Sequence, residues 1–266
     1  DLHLSLRRQR QMCIRDSPPC YPQTMQSRQY YAATIFVYLA TLAYVLLRWD
    51  SIPDPIPVHF DAAGNPDRYE PKSFLAATAL IWIGAVLSAA VALCVPPRSL
   101  VRRTADVPPT SPIPFSEANA RRAELLTDKT GTFVAQIILG MAVCTCLSTL
   151  SSTNLAPSGW LMPTVWIVFT IGVVVLAVAL TLNTSKQVQA LPTDEDEQTR
   201  NEHFRYAVGM GVYSEPQDPA PIAVFLSNPS KLQINTAHGH ARRYLWRMGI
   251  ALAASLAACV VFAAVM

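Results

Sequence analysis

Residues 51–72 read SIPDPIPVHFDAAGNPDRYEPK, from Ser51 to Lys72, and lie between two apolar runs that are each about long enough to cross a bilayer. A polar segment so placed must sit at one membrane surface as a tethered loop, because unpaired backbone is not tolerated in hydrocarbon. Pro53, Pro55, Pro57 and Pro66 each fix φ and remove a donor, so the loop is expected to be stiff, extended and non-helical. Gly64-Asn65-Pro66-Asp67 is a turn signal that doubles the chain back, leaving Phe60 and Tyr69 on opposite arms. Trp49 marks the end of the first apolar run, as interfacial aromatic residues do.

The runs on either side extend this into a membrane reading. Residues 30–48, 74–95, 132–150, 164–182 and 245–266 each approach the ~20 residues that span a hydrocarbon core. Half of the chain (51%) is apolar and the mean hydropathy is positive, as in a membrane protein. The fold class expected is an all-α integral membrane protein of about five transmembrane helices, with a small cytoplasmic antiparallel β module between the fourth and fifth spans. That module is read from Phe204–Val208, Val212-Tyr213, Ile222–Leu226 and Leu232–Asn235, short β-type stretches punctuated by Gly, Pro, Asn and Asp.

Residues 1–17 read as a translated transposon-type sequencing adapter, with Met25 as the expected true start. Without them the formal charge falls from +3 to +1, since four arginines and two aspartates leave together. The remaining basic residues are scattered at the ends of apolar runs, so no nucleic-acid footprint is expected. The divisions that follow are a tail over 18–29, a helix-loop-helix membrane domain over 30–95 and a cytoplasmic linker over 96–131. After these come a transmembrane hairpin over 132–182, an acidic linker over 183–203, a β module with a basic juxtamembrane segment over 204–244, and a last helix over 245–266. Within the first linker Ser116 is expected to cap a short helix through Leu126 that rests near the headgroups.

Lysine and arginine counts orient the chain. Arg98, Arg102, Arg103, Arg121, Arg122 and Lys129 follow the second span, and Lys186, Arg200, Arg205, Lys231, Arg242 and Arg243 follow the fourth, so both segments and the amino terminus are expected inside. The loop 51–72 and the stretch 151–163 are then outside. The location expected is a cell membrane crossed several times.

The pattern Ile52-Pro53, Ile56-Pro57, His59-Phe60-Asp61, Gly64, Pro66-Asp67, Tyr69 and Lys72 resembles the signature loop of the bacterial membrane-protein family called domain of unknown function 1648. That family is similar, over its first two helices and loop, to the immunity protein that protects spore-forming bacteria from a sporulation-delaying toxin. Asp61 stands where many relatives carry Asn. The order Tyr213, Pro216, Asp218-Pro219, Val224-Phe225 and Asn235 resembles a second module, domain of unknown function 5808, although Pro229-Ser230-Lys231 replaces its usual glycines and Ala220 its basic residue. The resemblance implies toxin immunity or envelope sensing through the outer loop, with Pro53, Pro57, His59, Phe60, Asp61, Gly64, Asp67, Tyr69 and Lys72 as the recognition residues. The same resemblance implies that the membrane is that of a bacterial cell. The partners expected are the lipid bilayer and a peptide toxin or a cytoplasmic regulator. The alternative is a small transporter or an accessory subunit of one.

Candidate chemistry is sparse. His59 and Asp61 stand two apart in an extended loop and so point the same way, with Asp67 across the turn, but turn hydrogen bonds explain the acids better than a metal does. His238-Gly239-His240 ahead of Arg242 and Arg243 reads as a juxtamembrane polar segment. Cys94, Cys144, Cys146 and Cys259 lie within spans and read as packing residues. Asp194-Glu195-Asp196-Glu197 reads as a solvated run. The spans carry no acidic, lysine or histidine side chain in their interiors, with Gln136 the most polar group at depth, and there is no phosphate loop, dinucleotide fingerprint or His-Glu-x-x-His. No enzyme, metal or cofactor is expected.

Overall fold

The computed structural model describes residues 24–61, 65–103, 111–156, 161–205 and 210–265. The adapter-like segment 1–17, Gly64, part of the proline-rich linker (104–110) and residues 206–208 of the first expected strand lie outside them. Among the described residues are six α-helices, a two-stranded hairpin and a three-stranded sheet. They are α1 (Thr24–Leu47), β1 (Ile56–Phe60), β2 (Pro66–Glu70), α2 (Phe74–Leu93), α3 (Glu117–Ser152), α4 (Leu161–Ala190), α5 (Glu195–His203), β3 (Val212–Tyr213), β4 (Ile222–Val224), β5 (Leu232–Asn235) and α6 (Gly239–Val265). Five of the helices, all but α5, are long and apolar enough to cross a membrane. The chain therefore fits a multi-pass membrane protein.

The spine is α3. Its 36 residues give a rod about 54 Å long at 1.5 Å per residue, far more than one crossing needs. It packs on α1, α2 and α4, and on strands at both of its ends, while α6 packs on α2. Ser116 caps it as expected, its hydroxyl accepting from the Asn119 amide at 2.9 Å. The short helix expected near the headgroups is instead the first three turns of this rod. Nothing in residues 127–131 breaks it, because Gly131 and Thr130 weaken helix only by propensity, which tertiary packing overrides. At the far end Asn154 takes φ +57, the Leu155 amide donates to the Leu150 carbonyl at 2.8 Å and the Asn154 amide to Ser151 at 3.0 Å. This left-handed cap stops α3 and turns Leu155 back onto the core.

Midway, three helices meet closely. A Cβ on Gly84 of α2 would lie 2.8 Å from the Thr145 hydroxyl of α3 and 2.9 Å from the Tyr38 hydroxyl of α1. Only glycine permits that approach. Tyr38 also shares a buried 3.0 Å hydrogen bond with Ser88, and Ile81, Ala142 and Cys146 complete the cluster.

The three-stranded sheet has the order β3-β5-β4. β4 and β5 are antiparallel, as expected, through Ile222↔Ile234, Ala223↔Gln233 and Val224↔Leu232. β3 departs from the expected meander by joining β5 in parallel, Val212↔Ile234 and Tyr213↔Asn235. The reason lies in the Glu215–Ala220 crossover, which Asn235 holds: its side chain accepts from the Glu215 amide at 3.0 Å and donates to the Glu215 carbonyl at 2.8 Å. Phe204, expected to begin a strand, instead caps the end of α5 and stacks on Phe225 with ring centroids 5.0 Å apart.

The acidic run is the largest correction. Asp194 caps α5, accepting from the Glu197 amide at 2.7 Å, and its other oxygen accepts from the Ala118 amide of α3 at 2.9 Å. Burial pushes its carboxyl up, but these amides, the Ser116 hydroxyl and the Arg122 charge outweigh that and hold it below the usual carboxylate value. Glu197 is fully buried against Arg122, which is itself 1% exposed. Arg122 Nε donates to Glu197 Oε1 at 2.9 Å and Nη2 to Oε2 at 3.2 Å. The same guanidinium also donates to the carbonyls of Val188, Leu191 (2.7 Å) and Pro192 (3.2 Å) at the end of α4. Around it Leu100, Ala123, Leu126, Val188, Ile222, Val224, Ile234, Ala241 and Tyr244 form one apolar core.

Removing one member of a buried ion pair leaves an uncompensated charge, so Arg122→Met is expected to lose about 3–5 kcal/mol. The double variant Arg122→Met with Glu197→Leu should recover only part of this, because the Leu191 and Pro192 carbonyls lose the donor that Arg122 gave them. Denaturant unfolding in detergent micelles reads both; an unmoved midpoint for Arg122→Met would contradict the assignment.

Candidate functional site

The hairpin crowns the end of the bundle opposite the three-stranded sheet. From Leu126 in the sheet-side core to Leu150 beneath the hairpin, α3 runs 24 residues, about 36 Å. β1 and β2 pair through Ile56↔Glu70, Pro57↔Tyr69, His59↔Arg68 and Phe60↔Pro66, with irregular register on both sides of His59. Ile56 is fully buried and locks the hairpin down among Val45, Ile52 and Ala77, with Leu150 and Leu155 against them.

The base of the hairpin is braced by polar contacts. Lys72 Nζ donates to the Ile52 carbonyl at 3.0 Å and lies 5.2 Å from the Trp49 ring centroid, and its amide donates to Asp54 at 2.9 Å. At the tip, Asp61 and Asn65 close the bend: the Asp61 amide donates to the Asn65 carbonyl at 2.8 Å, and the Asn65 amide to Asp61 Oδ1 at 2.8 Å. His59 Nδ1 and Asp67 Oδ1 are 2.5 Å apart across the strands, both well exposed. The three side chains thus serve two separate contacts. Among the described residues no three His, Cys, Asp or Glu side chains gather into a metal-holding group.

Beneath the strands lies a cavity of about 450 Å³. Pro57 through Asp61 roof it; Ala77 and Leu80 of α2, Ser148 to Ser152 of α3, Trp166 of α4 and Phe262 of α6 line its walls. Of the residues expected to act in recognition, Pro57, His59, Phe60 and Asp61 face this space. Asp67, Tyr69 and Lys72 shape or brace the hairpin, Pro53 lies in its approach, and Gly64 is outside the described residues. The hydroxyl-rich wall from Ser148 to Ser152 and its partner Trp166, whose indole donates to Ser148 at 3.2 Å, are the functional candidates that the loop motif did not reveal. Their signal in the sequence was a run of small hydroxyl residues closing an otherwise apolar span.

The sheet-side module has its own buried centre. Arg200 and Asp218, 3% and 0% exposed, pair through two bonds of 2.8 Å. The Tyr213 hydroxyl donates to Asp218 at 2.7 Å, and Asp218 also accepts from the Ala220 amide at 2.9 Å. Burial, followed by the Asp218 charge, drives the Tyr213 phenol far above its ordinary value, so it stays a donor. His238 contacts the Asp218 carbonyl at 2.8 Å while His240 contacts Arg243, so the two histidines do not converge. Arg200, Asp218 and Tyr213 thus pair with one another, as the centre of a folding unit does.

Residues 36–92, which hold the second half of α1, the hairpin and nearly all of α2, match the family described as Domain of unknown function (DUF1648). No curated protein and no solved structure matches the chain. The matched segment coincides with the roof of the cavity and two of its supporting helices.

Lys72→Met removes a charged hydrogen bond and a cation–π contact, so amide exchange over residues 52–70 should rise about tenfold. His59→Ala removes an exposed pair of little worth and should change that exchange by less than about twofold. Equal effects would show that the base brace does not hold the hairpin.

Proposed function

We propose that this protein is a receptor of the bacterial cell membrane, of the toxin-immunity or envelope-sensing kind, that takes an amphipathic peptide into the cavity beneath its outer hairpin. The amino terminus and the sheet module lie on the cytoplasmic side in this reading, following the basic residues between the second and third and between the fourth and fifth spans. The observation that carries it is the cavity itself. It is roofed by a stiff hairpin, mixes Ser and Thr hydroxyls with Leu80, Trp166 and Phe262, and is large enough for part of a ligand. A preorganised site lowers the ordering cost of binding.

The floor of the cavity favours reception over passage. Seven residues below Ala77, about 10 Å down α2, Gly84 packs against Thr145 and Tyr38 with no room for one added methyl. A solute route would need that seam to part, and the seam holds no ionisable group of the kind that couples transport to protons. The resemblance of the hairpin motif to an immunity protein points the same way. So does the resemblance of Tyr213, Asp218 and Asn235 to a second module, since these three residues join in one hydrogen-bonded centre through the Glu215–Ala220 crossover. The reading needs no catalytic step.

A photo-crosslinking phenylalanine analogue at Phe60, installed in bacterial cells expressing the full chain, is expected to capture a peptide identifiable by mass spectrometry. Leu80→Trp, which narrows the cavity from a partly buried wall position outside the core that seats the hairpin, should lower the yield at least tenfold at unchanged protein abundance. Solute flux through sealed vesicles that Leu80→Trp abolishes, with no peptide captured, would overturn the receptor reading in favour of transport.

A further inference from the structure

The sheet-side half of the α3–α4 seam carries a second site. The two helices touch where Gly140 meets Phe169, since a Cβ on Gly140 would lie 2.7 Å from the ring. They meet again where Arg122 of α3 donates to the Val188 carbonyl and Val188 enters the sheet-side core. Between these contacts they splay and leave a groove of about 240 Å³. One face of each helix lines it, Lys129 to Gln136 on α3 and Leu176 to Asn183 on α4, each at intervals of three, four and seven residues.

The groove is graded in polarity along about 10 Å. Lys129, Thr132 and Asn183 stand at its sheet-side end, while Phe133, Leu176 and Leu180 line it deeper. Gln136 is satisfied by the Tyr30 hydroxyl at 3.1 Å. Lys129 has no carboxylate partner among the described residues. Thr184, one turn beyond Leu180, is buried with a hydroxyl that finds no hydrogen bond. Because α4 packs chiefly on α3, the groove is open sideways, toward where acyl chains lie if these helices span a bilayer.

We propose that this groove holds one phospholipid with an anionic headgroup, drawn from the leaflet on the side of the sheet. The Lys129 ammonium meets the phosphate, Thr132 and Asn183 face the glycerol and ester oxygens, and the first part of one acyl chain lies against Phe133, Leu176 and Leu180. The lipid fills the wedge that the two helices leave between their fixed contacts. This site rests on the membrane reading of the helices and is independent of any ligand beneath the hairpin.

The test reconstitutes the full chain in nanodiscs of equimolar dioleoyl phosphatidylglycerol and dioleoyl phosphatidylcholine, extracts it in mild detergent, and counts retained lipid by native mass spectrometry. One phosphatidylglycerol per chain is expected in excess over phosphatidylcholine. Lys129→Gln should reduce that preference about fivefold, the usual worth of one basic residue near an anionic headgroup. Ala179→Trp, which fills the groove, should remove the retained lipid whatever its headgroup. Unchanged retention in Ala179→Trp, or an unchanged preference in Lys129→Gln, overturns the proposal. If Ala179→Trp unfolds, the charge comparison alone decides.

Discussion

A single guanidinium organises this molecule. Arg122 sits on the third of the five long helices, fully buried, and spends its donors on a carboxylate of α5 and on three carbonyls at the end of α4. A charge so far from water is tolerable only when every donor is met, and here that condition ties three helices together at one point. It also suits the carbonyl end of α4, where the helix dipole favours a cation. Asp194 reinforces the joint by serving the first turns of α3 and α5 at once. Asn119, one turn before Arg122, extends it to the sheet: its side chain accepts from the Val224 amide at 3.2 Å and donates to the Val224 carbonyl at 2.5 Å.

With one end fixed in this way, α3 acts as a rod. It leaves the polar module, passes the tight seam at Gly84 and Thr145, and ends in a left-handed cap whose Leu155 supports the hairpin. The cavity wall from Ser148 to Ser152 and the Arg122 joint therefore belong to one continuous helix.

How much of this the sequence displayed follows from which forces leave a local signature. Hydropathy located all five long helices, because apolar length is a property of the chain itself. The proline-rich loop announced a stiff turn, and it folds as a hairpin with Asp61 and Asn65 closing the bend. The Ser116 cap was equally legible. What stayed hidden was long-range polar pairing. Arg122 was counted with the inner basic residues that orient the chain, and Glu197 with a solvated acidic run; nothing local indicates that they meet across 75 positions. The same blindness made Phe204 look like the start of a strand and β3 like a meander strand, since parallel pairing is decided by the Asn235 clamp on the Glu215 crossover. The cavity was half legible: its roof lies in the loop motif, but its walls come from four helices outside it.

The account stands on the hairpin and the sheet module being opposite ends of one membrane-crossing bundle. The direct measurement places single cysteines at Asn65 and Asn228, in a chain whose six native cysteines are replaced, and labels intact cells with a membrane-impermeant maleimide before and after permeabilisation. The account predicts that Asn65→Cys reacts in intact cells and that Asn228→Cys reacts only once the membrane is opened. Labelling of both sites from the same side of the membrane would contradict it.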